Sequence, residues 1–144
     1  LRNFITDFPT PELIRRANDN KDVVLLPHIG ASTSQAEENC AVMAVNQVVD
    51  FLETGNIKNS VNFPNVQLKR TTDFRISIIN KNVPAMIGQI ATALGELNLN
   101  IAEMTNVSKG DIAYNLIDIE NPVKEESIAK LKEIENVISV RLIS

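Results

Sequence analysis

The chain of 144 residues contains one cysteine, one histidine and no tryptophan. Its single cysteine, Cys40, cannot form a disulfide within the chain and is typical of proteins in a reducing compartment, so we expect a cytoplasmic location. No apolar run approaches the roughly 20 residues that a membrane-spanning helix needs. The first residues also lack the cationic start and apolar core of a secretion signal. The sequence therefore predicts no membrane partner.

Clustered positive charge is lacking as well. The formal net charge is −4, and the only adjacent basic residues are the pairs at positions 15–16 and 69–70. A nucleic-acid surface needs clustered cations, which displace counterions from the phosphates. We therefore expect no nucleic-acid partner. We also predict no metal site.

The N-terminal part of the sequence alternates strand and helix signals. Asn3–Phe8 predicts a short strand. Thr10 can cap a helix that runs to Ala17, and residues 18–22 predict a polar turn. Val23–Leu26 is then a continuous apolar run. Such a run, without alternation, is typical of a strand buried on both faces of a parallel sheet.

A long helix is predicted next. Ser32 and Ser34 can each act as its N-cap, because a glutamine or glutamate follows three residues later. Apolar residues then recur at helical spacing from Ala36 to Leu52. Gly55 is a suitable residue to end the helix.

The character of the sequence changes after this helix. Residues 56–72 are rich in asparagine and contain Pro64, which has no backbone donor. We interpret this segment as an extended linker between two domains, the first spanning residues 1–55 and the second residues 73–144.

The second domain has the order β-α-β-β-α-β. Strands are predicted at 74–80, 100–107, 112–119 and 137–143, and helices at 84–97 and 125–135. Ser108-Lys109-Gly110-Asp111 predicts a hairpin between the second and third of these strands. This order is typical of a ferredoxin-like fold, in which two helices cover one face of a four-stranded antiparallel sheet. The other face must be covered or solvent-exposed, and pairing with a second copy would protect the sheet edges.

His28 stands between the apolar run and a glycine-containing turn. A lone histidine in such a place can simply donate a hydrogen bond to a backbone carbonyl, and the residues alone leave that interpretation open. The position nevertheless favours a ligand site, because ligands of open α/β sheets bind at the carboxyl ends of the strands. Imidazole is also the side chain best suited to exchange a proton near neutral pH.

Three segments in this order resemble one family. Leu26–Thr33 (LPHIGAST), followed by Ala36–Asn39 (AEEN), resembles the PHIGxST…AxEN signature of the D-3-phosphoglycerate dehydrogenases, within the NAD-dependent D-2-hydroxyacid dehydrogenases. Val61–Pro64 resembles the VNFP that ends their catalytic portion. The segment from about Phe74 resembles an ACT domain, the amino-acid-sensing module that many of these enzymes carry. The resemblance covers nearly the whole chain.

The resemblance implies that His28 is the catalytic acid–base group. It would take the proton of the C2 hydroxyl of 3-phosphoglycerate while hydride passes to NAD⁺. The implied NAD contacts come from the same turn, at His28, Ile29, Gly30 and Ala31, where a glycine lets the nicotinamide approach the backbone. Asp7 resembles the aspartate of the family's DVFP, which lies by the nicotinamide, so the resemblance implies a further NAD contact there. It stands one position closer to the phenylalanine than in that pattern, and a solvated loop aspartate is the alternative.

Other parts of a dehydrogenase are missing from the sequence. There is no G-x-G-x-x-G fingerprint, and the resemblance places the carboxylate that orients the histidine and the arginine that binds substrate upstream of Leu1. The chain also begins in strand-like sequence without a methionine. We therefore expect residues 1–55 to be the C-terminal remnant of a catalytic, NAD-binding region, and the chain alone to be an inactive fragment of an oxidoreductase of serine biosynthesis.

The resemblance also implies an effector site in the ACT-like domain. Asn82 matches an asparagine that binds L-serine in serine-inhibited relatives, and Asn100 matches a second one from across the dimer interface. Asn80 stands where those relatives have a histidine, and Pro84-Ala85 replaces the usual Pro-Gly.

L-Serine is therefore the leading effector, with another amino acid as an alternative. Carboxamides carry both a donor and an acceptor to meet an amino acid, although asparagines in turns also bond to the local backbone. The alternative function is a non-catalytic ACT-type module that only binds an amino acid or dimerises.

Overall fold

A computed structural model describes residues 4–19 and 22–143. Asn3, where the first strand was predicted to begin, and Asn20 and Lys21 of the predicted turn lie outside the described residues. The chain divides into two compact units, Leu1–Met43 and Ala44–Ser144. None of the helices in the described ranges is both long and apolar enough to cross a bilayer.

The N-terminal unit contains two short parallel strands and one complete helix. The elements are β1 (Phe4–Thr6), α1 (Pro11–Asp19), β2 (Val23–Leu25) and the first turns of α2 (Ser34–Thr54). β1 and β2 pair in parallel, with Phe4 opposite Val23 and Thr6 opposite Leu25. The predicted strand–helix–strand–helix order is confirmed.

Both helices begin at a threonine cap. The Thr10 hydroxyl accepts a hydrogen bond from the Leu13 N–H (3.2 Å), as predicted for α1. The cap of α2 is Thr33, whose hydroxyl accepts from the Ala36 N–H (3.2 Å), so the prediction of Ser32 or Ser34 is wrong. Ser32 belongs to the preceding turn, where its N–H donates to the Ile29 carbonyl.

The burial predicted for β2 on both faces is not found. Val23 is buried, but Val24 is 43% exposed. Within the described residues β2 pairs only with β1, so one of its edges and part of one face have no covering layer. A continuous apolar run indicates that a strand needs covering layers on both faces, and the described residues provide only part of that cover.

The C-terminal unit has the predicted ferredoxin-like βαββαβ fold. After the end of α2 come β3 (Phe74–Lys81), α3 (Met86–Glu96), β4 (Ile101–Lys109), β5 (Ile112–Ile119), α4 (Glu125–Lys132) and β6 (Val137–Ile143). The sheet order is β4-β5-β3-β6 and every pairing is antiparallel. The β4–β5 hairpin turns at Gly110, whose φ of 61° favours glycine, as the sequence predicted.

The main core lies between the sheet and helices α3 and α4. Alternate residues of the central strands point toward the helices, which contribute their own apolar faces. The buried residues of this core are Ile76, Ile78, Ile90, Leu94, Leu99, Ile117, Ile119, Leu131 and Val140.

The opposite face of the sheet is covered by the chain that precedes it. Ile57 and Val66 pair as an isolated antiparallel bridge, and both are buried against the sheet together with Leu68. The segment 56–72, which we predicted as an extended linker, is thus packed on the ferredoxin-like unit over much of its length. The predicted domain boundaries at residues 55 and 73 stay predictions.

A buried ion pair fastens this covering segment to the sheet. Arg75 on β3 donates to both carboxylate oxygens of Asp118 on β5, and both side chains are fully buried. The Arg75 Nη1 also donates to the carbonyls of Thr54 and Leu68, each at 2.9 Å. Burial alone would raise the pKa of Asp118, but hydrogen bonds from Arg75 and Thr71 outweigh it and hold the pKa below its usual value.

The sheet also satisfies the last carbonyls of α2. The carbonyl of Phe51 accepts from Arg141 (2.6 Å), and that of Gly55 accepts from the Tyr114 hydroxyl (2.7 Å). The Phe51 carbonyl also accepts from the Gly55 N–H (3.0 Å), and the Gly55 carbonyl lies beyond the last helical turn. The bonds from Arg141 and Tyr114 therefore hold the helix end on the sheet. Gly55 ends the helix as predicted: its φ is 76°, and a Cβ there would lie within 2.7 Å of two apolar side chains.

Candidate functional site

Asp7 and His28, the two ionisable residues among the predicted catalytic and cofactor-binding residues, lie side by side. Asp7 directly follows β1, and His28 comes three residues after the end of β2. Since β1 and β2 are paired and parallel, both residues stand at the same, carboxyl edge of the small sheet. A hydrogen bond from the Leu26 N–H to the Thr6 carbonyl extends the pairing of β1 and β2 to this edge.

His28 is hydrogen-bonded to Asp7. The distance from His28 Nδ1 to Asp7 Oδ2 is 2.9 Å, and the imidazole also stacks obliquely against the Phe8 ring, with centroids 4.4 Å apart. The side chains of His28 and Asp7 are 58% and 42% exposed. Parallel pairing of β1 with β2 thus brings a carboxylate of the chain itself within reach of His28, while the carboxylate that the resemblance places upstream of Leu1 stays a prediction.

This hydrogen bond determines which nitrogen of the neutral imidazole carries the hydrogen. An ionised carboxylate can only accept, so Nδ1 must carry the hydrogen. In the neutral ring Nε2 then holds a lone pair, which can accept a proton from a donor placed beside it. A carboxylate that fixes the tautomer of a histidine in this way is the arrangement used by many general bases.

The turn after His28 is open. Ile29 is exposed, and no described protein atom lies within 4 Å of the position that a Cβ on Gly30 would occupy. The φ of Gly30 is not positive, so neither backbone conformation nor neighbouring protein explains a glycine there. An open turn with exposed polar neighbours fits the reactive end of a dinucleotide. The residues that would cradle its pyrophosphate are absent from this sequence.

Two of the three predicted effector residues lie around one small cavity. Asn80 and Asn82, at the end of β3, line a cavity of about 140 Å³ together with the first residues of α3. Asn80 is almost fully buried and its Nδ2 donates to the Lys81 carbonyl (2.6 Å), whereas Asn82 is exposed and donates to the Gly110 carbonyl (3.0 Å). Asn80 thus makes the local backbone bond that we gave as the alternative, whereas Asn82 bonds to the backbone of the β4–β5 turn, 28 residues away.

Asn100 lies apart from these two residues. It precedes β4, where Ile101 pairs with Ile119, while the cavity is at the other end of the sheet, where Lys81 pairs with Ile112. The Asn100 side chain donates to Glu120, and its N–H donates to Asn121 (3.0 Å). Within one chain Asn100 does not reach the cavity, so its predicted role requires a second copy.

Two further asparagines reach this region and were not predicted. Asn106 on β4 also lines the cavity, and Asn115 on β5 connects Asn106 to Asn80 by hydrogen bonds. The sequence holds a signal for Asn115 and Asn80, because both are in phase with the buried isoleucines of their strands. A carboxamide where alternation predicts an apolar side chain indicates a polar site.

The cavity borders a strained residue. Ala85, which precedes α3, has a φ of 68° in the left-handed region, and no side chain caps the helix. This conformation costs a non-glycine residue about 1–2 kcal/mol. The glycine that the resemblance implies at this position would adopt the same conformation without this strain.

Replacing Ala85 by glycine should therefore stabilise the C-terminal unit. We expect a gain of about 0.5–1 kcal/mol, because relief of the left-handed strain exceeds the extra chain entropy of glycine in the unfolded state. Urea denaturation gives the free energy of unfolding. The matched control is Ala91→Gly inside α3, which should lose about 1 kcal/mol. Equal losses in both variants would contradict the role of the backbone conformation.

A larger cavity lies on the opposite face of the sheet. Its volume is about 390 Å³, and its walls include Val48, Phe51, Ile57, Phe63 and Tyr114. Polar residues also line it, namely Gln47, Asn56, Lys58, Asn59 and Ser60, but most of its surface is apolar, which disfavours a ligand as small and charged as a free amino acid. The small, asparagine-lined cavity is the better candidate for an amino-acid effector.

No protein-family model matches the chain. The D-3-phosphoglycerate dehydrogenase of Haemophilus influenzae is 32% identical over 133 residues, which are 92% of this chain and 32% of that protein. The enzyme of that name from Escherichia coli K12 is 31% identical over 124 residues, 85% of this chain and 30% of that protein. D-3-phosphoglycerate dehydrogenase 2 of Saccharomyces cerevisiae is 30% identical over 142 residues, 93% of this chain and 29% of that protein.

The chain thus spans about a third of the length of these curated relatives. Among solved structures, the ACT domain from GTP pyrophosphokinase of Chlorobium tepidum gives a TM-score of 0.43 at 19% identity, covering 48% of this chain and 94% of that one. The resemblance drawn from the sequence motifs is confirmed by the curated relatives.

Proposed function

We propose that this chain, which is related along about nine-tenths of its length to D-3-phosphoglycerate dehydrogenases, provides the catalytic histidine and the regulatory ACT domain of such an enzyme. The reaction would be the oxidation of 3-phosphoglycerate to 3-phosphohydroxypyruvate. The observation that supports this proposal most strongly is the His28–Asp7 hydrogen bond at the carboxyl ends of two parallel strands.

The proposed chemistry needs a group that moves one proton at the carbon that loses hydride. His28 Nε2 would accept the proton of the C2 hydroxyl, while Asp7 holds Nδ1 and stabilises the imidazolium that forms. NAD⁺, when bound, supplies the hydride acceptor. The open turn at Ile29, Gly30 and Ala31 would contact its nicotinamide end. In the reverse direction the imidazolium returns the proton to the carbonyl oxygen.

The ferredoxin-like unit would sense an amino acid. Asn80 and Asn82 border a cavity whose size suits a small amino acid, and the start of α3 adds backbone N–H groups for a carboxylate. NAD dependence, L-serine as effector, self-association through this unit and a cytoplasmic location stay predictions. A non-catalytic sensing module is the alternative, but it gives no reason for the His28–Asp7 pair.

A hybrid enzyme tests the catalytic part of the proposal. Residues 1–144 would replace the matching C-terminal part of the Haemophilus influenzae D-3-phosphoglycerate dehydrogenase. We expect the hybrid to form NADH from 3-phosphoglycerate, and the chain alone to form none because it lacks a dinucleotide cradle. The measurement is NADH absorbance against time.

Folding of the hybrid is checked separately by circular dichroism and by NADH binding, with the unmodified Haemophilus enzyme as positive control. A hybrid that folds and binds NADH but forms none from 3-phosphoglycerate would contradict the proposal. Turnover by the isolated chain would contradict the expectation that it is inactive.

A further inference from the structure

Two neighbouring residues of one turn contact the imidazole of His28. Asp7 Oδ2 lies 2.9 Å from His28 Nδ1, at one edge of the ring. The ring of Phe8 packs against the imidazole, with ring centroids 4.4 Å apart and planes inclined at 52°. A hydrogen bond and an aromatic contact thus act on the same small ring, and the proton transfer proposed for His28 uses only the first of them.

The turn after β1 is shaped so that both side chains reach this ring. In an extended strand neighbouring side chains point to opposite faces, but β1 ends at Thr6 and the chain bends at Asp7 and Phe8. The Thr6 hydroxyl accepts a hydrogen bond from the Phe8 N–H (3.1 Å). Pro9 follows, and a proline restricts the backbone of the residue before it. The backbone of Phe8 is therefore restrained from both sides.

The hydrogen bond to Asp7 alone leaves the plane of the imidazole poorly defined. It fixes the position of Nδ1, but the torsion that turns a histidine ring about its bond to Cβ has broad minima. The side chains of His28 and Asp7 are both partly exposed, so little other protein surrounds the ring. The direction of Nε2, the nitrogen that would exchange the proton, changes as the ring turns.

The ring of Phe8 has little other structural role. Phe8 is 70% exposed, and single exposed apolar residues are common, so exposure alone indicates no function. Among the described residues, however, Phe8 belongs to neither hydrophobic core cluster, and its one aromatic contact is with His28. The contact with the imidazole is therefore the interaction that a substitution of Phe8 would chiefly remove.

We propose that Phe8 is a positioning residue for the proton transfer, because its ring holds the plane of the imidazole and so directs Nε2 toward the C2 hydroxyl of the substrate. This inference rests on the proposed function of His28 and adds a second restraint to the one from Asp7. A group that transfers a proton must be held near its productive geometry, and a displacement of about 1 Å can cost about 100-fold in rate. Thr6 contributes indirectly, since its hydroxyl fixes the turn that presents Phe8.

Steady-state kinetics of the hybrid enzyme test this role. Phe8→Leu keeps an apolar side chain but removes the ring, so kcat should fall about 3- to 10-fold, while NADH affinity and the KM for 3-phosphoglycerate change little. Phe8→Tyr keeps the ring and should hold kcat within about twofold of the wild-type value. Phe4→Leu, the same change at a partly exposed ring on β1, is the matched control and should also leave kcat within about twofold.

NMR relaxation of the 144-residue chain gives a readout that does not depend on turnover. His28 is the only histidine, so its ring signals are assigned directly. The order parameter of the His28 Cε1–H bond should be that of a held ring in the wild type and should fall in Phe8→Leu. It should stay at the wild-type value in Phe8→Tyr and in Phe4→Leu.

The two measurements separate the role of Phe8 from that of His28. Equal kcat in Phe8→Leu and in the wild-type hybrid would overturn the role of Phe8 and leave that of His28 intact, even if the order parameter falls. Wild-type His28 signals at the positions of an unfolded peptide would overturn the contact itself. A folded hybrid that binds NADH without turnover would overturn the proposed function, whereas the order parameters would still decide whether Phe8 holds the ring.

Discussion

Replacing Arg75 by methionine should destabilise the C-terminal unit by about 3–5 kcal/mol. The substitution leaves Asp118 buried without its charged partner, and it removes the donors to the Thr54 and Leu68 carbonyls. Domains of this size are stable by only about 5–15 kcal/mol. The variant should therefore unfold at a much lower urea concentration, and we expect release of the covering segment 56–72 from the sheet to accompany the loss.

A double variant separates the charge from the packing. Arg75→Met combined with Asp118→Leu removes both charges, so it should recover most of the lost stability, since no unpaired ion remains. The control is Lys132→Met at an exposed position of α4, which should change the free energy of unfolding by less than about 0.5 kcal/mol. Equal losses in Arg75→Met and in the control would contradict the role given to the ion pair.

Acid should weaken the same ion pair. The pKa of Asp118 is lowered in the folded state, so its contribution is fully present above the unfolded pKa of about 3.9. The contribution is lost as the pH falls from about 4 through the lower folded value. Asp118→Asn lacks this titration, so its stability should fall less over that pH range when urea denaturation is compared with the wild type.

Regular elements of the C-terminal unit could be predicted from the sequence because their patterns are local. β5 and β6 have the predicted bounds, since the alternation of apolar residues and a glycine-containing hairpin define them. Gly55 was correctly placed at the end of α2 for a similar reason. A positive φ after an amphipathic run needs no knowledge of distant residues.

Contacts between distant residues could not be predicted in the same way. The bridge between Ile57 and Val66, and the packing of both on the sheet, depend on a surface that forms only when the strands assemble. The polar composition of 56–72 suggested a linker, although four apolar side chains, those of Ile57, Phe63, Val66 and Leu68, pack on the sheet and decide where it lies. Arg75 and Asp118 likewise gave no local signal, being 43 residues apart.

In the candidate sites, too, local patterns could be predicted from the sequence and contacts between distant residues could not. His28 was found from its place after an apolar strand, but its contact with Asp7, 21 residues earlier, depends on the parallel pairing of β1 and β2. The effector residues Asn80 and Asn82 were found from the resemblance. Asn106 and Asn115 were missed because no motif includes them, and only Asn115 is marked by its phase with the buried isoleucines of β5.

Replacing His28 by glutamine in the hybrid enzyme should lower kcat by about 100- to 10,000-fold. Glutamine keeps a polar side chain of similar length but cannot take up a proton at neutral pH. NADH binding should change little, because the implied contacts at Ile29, Gly30 and Ala31 are preserved and glutamine keeps a polar side chain at position 28. Asp7→Asn should lower kcat less, since a carboxamide oxygen can still accept from Nδ1 but carries no charge to stabilise the imidazolium.

The matched control is Gln35→Ala, at an exposed position in the first turn of α2, which should leave kcat within about twofold. Circular dichroism and NADH binding of each variant establish that the hybrid is folded. These checks separate a failure of chemistry from a failure of structure.

The rate of NADH formation from 3-phosphoglycerate by the folded hybrid, with and without His28→Gln, tests the catalytic role of His28 most directly. We expect a fall of about 100-fold or more on substitution, with NADH affinity and thermal stability nearly unchanged. An equal rate in the two proteins would contradict it, because His28 would then have no part in moving the proton.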